Sequence, residues 1–436
     1  MQTSISPELK QDPGVQVSEE ILRTCVHCGF CNATCPTYLL TGNELEGPRG
    51  RIYLIKNMLE GRIAPTANTV EHIDNCLACL ACETTCPSGV VYSHLLEDAR
   101  PRLEKLHRRE WLDRLMRAVL TRLLPWPGRF RWAMRMAAVG RRAAFLMPRR
   151  FRHLAAMAPP SLPAPSRLAA PGVKPAADRR MRVALLTGCA QQVLGPHIND
   201  ATVRLLTRRG VEVVVPEAMG CCGALTYHIG ERRHSLPMMR RNIDAWYREL
   251  QGDGLDAIVL NTSGCGTAVR EYGHIFRNDP EWAEKAAAVT PLVRDVSEVV
   301  GEVGLGEVVE MPRLRLAYHD ACSLQHGQKI VAPPRQLLAA AGFEVVEVPE
   351  AHICCGSAGT YNLLRPVLAD QLRERKSANI KTIEPELVAA GNIGCIEQIA
   401  SAVDVPVVHT VELLDWATGG PKPAAMGAAT GPSRRG

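Results

Sequence analysis

The sequence contains two stretches of matching cysteine spacing, CVHCGFCNATCP at residues 25–36 and CLACLACETTCP at residues 76–87. Each has the form C-x2-C-x2-C-x3-C-P, which is typical of ferredoxins that bind two 4Fe-4S clusters. Three thiolates on one short arc reach one cluster, and the fourth, set apart by an extra residue and a proline, reaches the other. The ligands predicted for the first cluster are Cys25, Cys28, Cys31 and Cys86, and those predicted for the second are Cys76, Cys79, Cys82 and Cys35.

Tetrahedral zinc is the main alternative for these eight cysteines. A structural zinc site usually takes two cysteine pairs, whereas this chain repeats a whole run of four in ferredoxin register. The spacing therefore favours iron-sulfur clusters over zinc, and it fits a C-x-x-C redox motif less well still.

The remaining eight cysteines form an internal repeat between residues 181 and 418. Those of the first copy recur in the second after 133, 133, 133 and 130 residues, and GVEVVVPEAMGCCG (210–223) matches GFEVVEVPEAHICCG (342–356). Short Val/Ile/Leu runs alternate with longer helical patterns, which predicts βαβ units and a mostly parallel sheet in each copy. We expect the cysteines at the carboxyl ends of strands, where such sheets build their sites. The two sets are Cys189, Cys221, Cys222 and Cys265, and Cys322, Cys354, Cys355 and Cys395.

Each copy places two adjacent cysteines before a glycine. Consecutive Cα atoms lie about 3.8 Å apart, whereas a relaxed disulfide needs roughly 4.4–6.8 Å, so the neighbours are poorly placed to bond each other. We expect each set to bind a further iron-sulfur cluster or zinc, or to act as redox thiols. The alternative is structural cysteine, since free Cys packs as a small hydrophobe. All cysteines beyond residue 100 fall in these two sets, which favours the ligand or redox interpretation.

Three polar residues stand close to the cysteines of the second copy. His319 and Asp320 precede Cys322, and His352 precedes Cys354. A residue at such a position can serve as a ligand, orient a ligand or carry a proton, but a lone histidine near a strand end is more often structural. The sequence leaves these roles open.

The segment from residue 100 to residue 153 is strongly basic. It has 16 Lys and Arg against 3 Asp and Glu, while the rest of the chain has 35 against 42. Its helical periodicity breaks at Pro125 and Pro127. Contact with an anionic membrane surface or with a partner subunit is expected of such a segment, and nothing else in the chain resembles a nucleic-acid-binding module. Its aromatic residues are Trp111, Trp126, Phe130, Trp132, Phe145 and Phe151.

The sequence predicts an α+β multidomain protein, with a helical two-cluster ferredoxin domain followed by two repeated α/β domains. The segment 158–180 holds six prolines without periodicity, which indicates a linker. The predicted segments are the ferredoxin domain (1–100), the basic helical segment (101–157), the linker (158–180), the first repeat (181–311), the second repeat (312–418) and a disordered tail (419–436).

Other features narrow the class of function. No G-x-G-x-x-G follows a strand, so we expect this chain to bind neither flavin nor nicotinamide itself. The first residues, MQTSISPELKQDPGVQ, have no apolar core of a signal peptide. Together with the number of cysteines, this predicts a reducing cytoplasmic location, with contact at the inner face of the cytoplasmic membrane as a further expectation.

The chain resembles a known family in ILRTCVHCGFCNATCPTYLLTGNELEGPRGRIYLIKNMLEG (21–61) and CETTCPSGVVYSHLL (82–96). These stretches are similar to the glycolate oxidase iron-sulfur subunit family, whose relatives serve lactate and glycerol-3-phosphate dehydrogenases. The two repeats resemble the cysteine-rich CCG domains that are also found in heterodisulfide reductase. The fullest CCG pattern ends in C-x-x-C, whereas this chain has Thr262 before Cys265 and Asn392 before Cys395. Each set therefore keeps four thiols rather than five.

The resemblance implies an electron-transfer subunit of an oxidoreductase complex. Flavoprotein subunits would oxidise glycolate to glyoxylate, and electrons would pass through the 4Fe-4S clusters toward a quinone-type acceptor. We expect no substrate turnover by this chain alone and no catalytic residues in it. The alternatives are a thiol-disulfide reductase of the heterodisulfide type, the matching subunit of a lactate or glycerol-3-phosphate dehydrogenase, and an iron-sulfur regulator.

Overall fold

The structure, a computed structural model, describes residues 1–140, 159 and 161–427. A helical N-terminal region is followed by two α/β units, each built on a small sheet. This arrangement confirms the predicted α+β class. The helices of the N-terminal region are Pro13–Thr24, Pro36–Thr41, Pro48–Leu59, Ala67–Asp74, Ala81–Thr85 and Tyr92–Leu106.

Proline and capping residues fix where the N-terminal helices begin. The helices at residues 13, 36 and 48 each start with proline, whose missing N–H costs nothing at a first helical position. Asp12 caps the first of them by accepting a hydrogen bond from the Gly14 amide. Ser18 then joins this helix to Asp98 of the helix Tyr92–Leu106 by a buried hydrogen bond of 3.0 Å. The result is a small helical core that surrounds the two ferredoxin cysteine runs.

The first α/β unit contains a five-stranded sheet in the order β1-β3-β2-β4-β5. Strands β2, β3, β4 and β5 run parallel, and only the edge pair β1 and β3 is antiparallel. The mostly parallel sheet predicted from the sequence is therefore confirmed. Its strands are β1 (Gly172–Lys174), β2 (Met181–Leu186), β3 (Val211–Val215), β4 (Ala257–Leu260) and β5 (Val293–Asp295).

The second α/β unit repeats this plan with a four-stranded parallel sheet in the order β7-β6-β8-β9. Strand β6 occupies the central place that β2 has in the first sheet, so the two copies share one topology. Its strands are β6 (Arg315–His319), β7 (Glu344–Glu347), β8 (Leu387–Ala390) and β9 (Val407–His409).

Helices flank both sheets and join the two units. In the first unit they are Gln191–Leu194, Pro196–Arg208, Ala224–His228, Arg232–Gln251, Ser263–Arg270, Tyr272–Phe276, Ala283–Val289 and Val296–Val303. In the second they are Ala332–Ala340, Tyr361–Leu364, Pro366–Lys381, Ile393–Ala400 and Thr410–Ala417. One buried apolar cluster includes side chains from both sheets, and Asp415 pairs with Arg204 and Arg208 across the units. The two repeats are thus packed together as one body.

The predicted linker contributes to the first sheet. Residues 172–174 form strand β1, which pairs antiparallel with β3. Three residues between Pro171 and Pro175 are too short for a recognisable period-2 pattern, and proline is tolerated beside an edge strand. The other domain limits drawn from the sequence remain predictions.

The described part of the basic segment is helical, as predicted, with helices Trp111–Leu123 and Pro127–Gly140 separated at Pro125. Phe145, Phe151 and residues 428–436, half of the predicted tail, lie outside the described residues. Among the described helices, none combines the length and the apolar character needed to cross a membrane.

Candidate metal centres

Both ferredoxin cysteine runs use left-handed backbone at the same two positions. His27 and Gly29 have φ of 62° and 92°, and their equivalents Ala78 and Leu80 have φ of 52° and 64°. A non-glycine residue in this conformation costs roughly 1–2 kcal/mol, and such strain concentrates at functional sites. The two turns curl each loop so that its three closely spaced thiols face one side.

The first predicted ligand set lines a single cavity. Cys25, Cys28, Cys31 and Cys86 all border it, together with apolar side chains such as Ile52. Cys25 is buried while Cys28 is exposed, so one edge of this site reaches the protein surface.

The second predicted set lies deeper. Cys35, Cys76 and Cys82 are buried, and burial followed by the neighbouring thiols Cys79 and Cys76 raises the pKa of Cys82. The fourth member, Cys35, follows the first run in sequence but belongs spatially to this group, because its charge also acts on Cys82. Cys82 also borders the cavity of the first set, so the two sets lie next to each other and the assignment of each thiol to a cluster stays a prediction.

A buried arginine supports the second set, and the sequence analysis did not identify it. Arg51 is 1% exposed; its guanidinium pairs with Glu46 at 2.7 Å and lies 3.9 Å from the Cys35 sulfur. Glu46 also meets His72 Nδ1 at 2.6 Å and accepts a hydrogen bond from Asn75. The only sequence signal was an arginine on the apolar face of PRGRIYLIKNML (48–59).

The first CCG set also converges. The sulfurs of Cys189 and Cys221 lie 3.4 Å apart, and contact with the Cys221 and Cys265 thiols lowers the pKa of Cys222. These cysteines follow β2, β3 and β4 at their carboxyl ends, as the repeat predicts. Thr262, which stands where the full pattern has a fifth cysteine, instead bonds Gln191.

The second CCG set repeats this arrangement after β6, β7 and β8. The sulfurs of Cys322 and Cys354 lie 3.8 Å apart. A ring nitrogen of His319 and the sulfurs of Cys355 and Cys395 all lie within 4.8 Å of one another. Burial lowers the pKa of His319 to about 3, so its imidazole is neutral at physiological pH.

The other two polar residues singled out in the sequence make contacts through the side chain in one case and through the backbone in the other. Asp320 pairs with Arg335. His352 is half-buried, and its carbonyl accepts a hydrogen bond from the His326 ring at 3.1 Å.

The backbone conformation after each cysteine pair requires glycine. Gly223 and Gly356 adopt φ of 79° and 88°, and each amide points at the sulfur of the first cysteine of its pair at 3.4 Å. A Cβ on Gly356 would lie 2.5 Å from the Ala369 carbonyl oxygen. Only glycine allows this turn, which aims the amide at the thiol.

The second ferredoxin set touches the second CCG set. Cys79, Cys322 and Cys354 belong to one apolar cluster, and burial followed by the charge of Cys322 raises the pKa of Cys79. Tyr361 fixes this contact by donating a hydrogen bond to the Asn75 carbonyl at 3.1 Å. The ferredoxin region is thus joined directly to the second CCG site.

The donor chemistry of all four sets fits metal binding. All 16 cysteines are free, and burial raises the pKa of thiols such as Cys79 and Cys82 well above the usual value. Buried thiols of this kind stay protonated unless a cation compensates the thiolate, and metal binding displaces the proton. The sets at residues 25–86 fit 4Fe-4S clusters, and the CCG sets fit an iron-sulfur cluster or zinc.

The basic segment anchors the domains to one another. Arg100 donates to the His228 carbonyl at 2.6 Å and to the Cys76 carbonyl at 2.6 Å. Arg109 and Arg117 both pair with Asp74. Part of the positive charge of the basic segment is therefore neutralised by contacts between regions of the protein itself.

Family comparisons agree with this organisation. Residues 21–90 match the 4Fe-4S dicluster domain, and residues 183–270 and 316–400 match the CCG cysteine-rich domain. A solved structure titled as a hypothetical protein from Helicobacter pylori shares the fold, with a TM-score of 0.53 at 12% identity over 97% of this chain and 75% of that one. The fold and the cysteine sites define an iron-sulfur protein with a dicluster ferredoxin region and two CCG domains.

Curated relatives narrow this class. The chain is 42% identical to the glycolate oxidase iron-sulfur subunit of Escherichia coli, covering 96% of this chain and 99% of the relative. It is 32% identical to the probable glycolate oxidase iron-sulfur subunit of Bacillus subtilis, over 93% of this chain and 96% of the relative. Lactate utilization protein A of Geobacillus thermodenitrificans is 29% identical over 54% of this chain. The chain belongs to the glycolate oxidase iron-sulfur subunit family, which confirms the resemblance seen in the sequence.

Proposed function

We propose that this chain is the iron-sulfur electron-transfer subunit of a flavin-dependent glycolate oxidase complex. The observation that carries the proposal is the packing of Cys79 and Cys322, both partly buried, against one apolar cluster that contains the buried Cys354. This cluster places the ferredoxin region beside the second CCG site. Clusters bound by the cysteines would supply one-electron transfer at a potential tuned by nearby charge and hydrogen bonds. The names of the relatives from Escherichia coli and Bacillus subtilis support the choice of glycolate.

The ligands proposed for the two 4Fe-4S clusters are those predicted from the spacing. The loops with left-handed turns hold three thiols of each set, and Arg51 places a positive charge beside Cys35. In the CCG domains, the eight remaining cysteines are proposed to hold an iron-sulfur cluster or zinc in each half.

The surface near Cys28 is proposed as the docking face for the flavoprotein subunits. Cys28 is exposed, and the apolar side chains Val26 and Phe30 beside it are 67% and 64% exposed. Exposed apolar groups at the rim of a redox site are typical of interaction surfaces. Replacing Phe30 with aspartate should weaken assembly with the flavoprotein subunits without changing iron content.

Burial of the CCG thiols favours metal binding over a disulfide-reductase role. Cys354 and Cys355 are each 1% exposed. Thiol-disulfide exchange requires that a thiolate reach the substrate sulfur, and these two cysteines lie in apolar clusters formed by the CCG domains and the ferredoxin region.

The cofactor content is tested by iron and zinc analysis of anaerobically purified chain, combined with EPR of the reduced protein. About eight irons are expected for two clusters alone, and about twelve to sixteen if the CCG domains also hold clusters. Cys82→Ser should lose the signal of the second ferredoxin set. A protein that binds zinc in place of iron at residues 25–86 would refute the electron-transfer proposal.

The function is tested by combining the purified chain with the flavoprotein subunits of the complex. Glycolate should reduce a quinone acceptor only when all the subunits are present. The matched control is the Cys82→Ser chain, which should assemble without supporting quinone reduction. Glycolate oxidation by this chain alone would contradict the proposal.

Contact with the inner face of the cytoplasmic membrane through residues 100–153 is a further part of the proposal. Trp111 and Trp132 are 69% and 63% exposed, and a groove that Trp111 lines also contains cationic side chains including Lys105, Arg108 and Arg114. Aromatic and basic side chains together favour the anionic membrane interface. Vesicles with anionic lipid should bind the protein, neutral vesicles should not, and alanine at both tryptophans should weaken binding.

A further inference from the structure

His319 is a buried histidine whose ring nitrogens have no hydrogen-bond partner among the described residues. It is the last residue of β6 and is 1% exposed. Leaving a buried polar group unpaired costs about 1–3 kcal/mol. By contrast, both ring nitrogens of the equally buried His409 have hydrogen-bond partners. Its Nε2 meets the Asn261 carbonyl at 2.8 Å, and its Nδ1 accepts a hydrogen bond from the Val411 amide. His319 therefore lacks a partner that a purely structural histidine has here.

The ring nitrogen of His319 is placed among sulfur atoms. It lies within 4.8 Å of the Cys355 and Cys395 sulfurs, and Cys354 and Cys322 continue the set. Metal–nitrogen and metal–sulfur bonds of about 2.0–2.3 Å place neighbouring donors roughly 3.5–4 Å apart. Small side-chain rotations would bring these donors to one metal centre.

The first repeat lacks this nitrogen. The offset of 133 residues that relates Cys189 to Cys322 also relates Leu186 to His319, and Ile243 to Lys376. Lys376 is 1% exposed, and its ammonium donates to the Glu350 carbonyl at 2.7 Å. Four cysteines are common to both copies, and only the second has an imidazole and a buried cation at these two positions. The imidazole that acts on Cys222 of the first site belongs instead to His228.

We propose that His319 is the fifth donor of the second CCG site, so that this site binds metal through nitrogen and sulfur while the first uses sulfur alone. The inference rests on the proposed binding of metal by the CCG cysteines. A neutral imidazole occupies the role of the thiol that is missing where Asn392 stands. Exchange of thiolate for imidazole raises the reduction potential of an iron-sulfur centre, and the positive charge of Lys376 acts in the same direction. Where both sites hold iron-sulfur centres, the second is therefore the more easily reduced of the two.

The test uses the full chain, purified anaerobically from cells supplied with ¹⁵N-histidine. Metal analysis shows whether the CCG domains hold iron or zinc. Pulsed EPR of the reduced protein then detects a directly bound ¹⁵N on iron, and X-ray absorption detects a nitrogen ligand on zinc. We expect a bound histidine nitrogen in the wild type and its loss in His319→Gln.

Two further variants separate ligand loss from misfolding. His319→Cys should retain the metal of the second CCG site while losing the ¹⁵N signal, and His352→Gln, a neighbour outside the donor set, should keep both. A metal-loaded wild type without bound histidine nitrogen, or a signal that survives His319→Gln, overturns this inference alone. CCG domains that hold neither iron nor zinc overturn it together with the proposed metal binding.

Discussion

Replacing Asp74 with asparagine tests whether one buried carboxylate holds three parts of the chain together. Asp74 ends the helix Ala67–Asp74 in the ferredoxin region. Its carboxylate meets Arg109 at 2.6 Å and Arg117 at 2.9 Å, both from the basic segment. It also meets Arg365 of the second CCG domain at 3.1 Å. Burial raises the pKa of Asp74. The charges of Arg117 and Arg109 lower it by more, so that the net pKa lies below the usual value.

The expected cost follows from the burial of these groups. The side chains of Asp74 and Arg117 are each 6% exposed and that of Arg109 is 7% exposed. Removing the carboxylate takes one anion from two buried guanidinium groups, which keep ion pairs with Glu104 and Asp113. Because those pairs remain, the loss is that of hydrogen bonds to a charged group, about 1.5–3 kcal/mol. At roughly 2–4 °C per kcal/mol for a cooperative unit of about 150–250 residues, the melting temperature should fall by roughly 3 °C or more.

The assay is a thermal melt combined with limited trypsin digestion. Cleavage within 105–122 should accelerate in Asp74→Asn, because the basic helices lose their anchor. Asp253→Asn is the matched control, since Asp253 is 79% exposed and pairs with Arg182 at 3.5 Å, and an exposed pair is worth about 0–1 kcal/mol. If Asp74→Asn melts and digests like Asp253→Asn, the carboxylate does not hold the domains together.

Other substitutions test the ferredoxin region by the same reasoning. Arg51→Leu leaves the Glu46 carboxylate buried without its cation and should cost about 3–5 kcal/mol in urea unfolding, whereas the more exposed Arg49→Leu should cost less than about 1 kcal/mol. Burial raises the pKa of Glu97 from 4.5 to about 7, so the folded state keeps a proton that the unfolded state releases and stability falls as pH rises through this window. In Glu97→Gln the loss of unfolding free energy between pH 4.5 and 7 should be about 3 kcal/mol smaller than in the wild type, as thermal melts of both proteins would show. Parallel pH profiles of the two proteins would contradict the raised pKa of Glu97. Gly50→Ala should destabilise by about 1–3 kcal/mol in urea unfolding, because the new Cβ would lie 2.1 Å from the Glu44 carbonyl oxygen; unchanged unfolding would show that the backbone yields.

Much of the site could be predicted because cysteine spacing carries geometric information. The C-x2-C-x2-C-x3-C-P runs predict which thiols share a cluster, and the structure places Cys25, Cys28, Cys31 and Cys86 around one cavity; the pairing of thiols with clusters stays a prediction. The repeat likewise predicts that Cys189 and Cys322 follow apolar strands, and they follow β2 and β6. These positions were predictable because short-range spacing and strand order directly limit where a side chain can lie.

The contacts between the parts could not be predicted in the same way. Strand β1 is formed by three residues of the predicted linker, and it exists because β3 offers an unpaired edge. The charge of the basic segment predicts a surface location, yet Arg117 is 5% exposed and donates a hydrogen bond to the Ile229 carbonyl. Such pairings depend on which faces meet after folding, and a single sequence contains no local pattern for them.

The two CCG domains share one scaffold but not one environment. Both aim a glycine amide at the first cysteine of the pair, so the turn itself is common to the repeat. Leu186 and Ile243 make the first site apolar where His319 and Lys376 make the second polar. The polar site is also the one that Cys79 of the ferredoxin region contacts. A centre that accepts electrons benefits from neutral ligands and nearby positive charge, since both stabilise the reduced form. The polar substitutions therefore lie in the half that packs beside the ferredoxin region, where Cys79 and Cys354 share an apolar cluster.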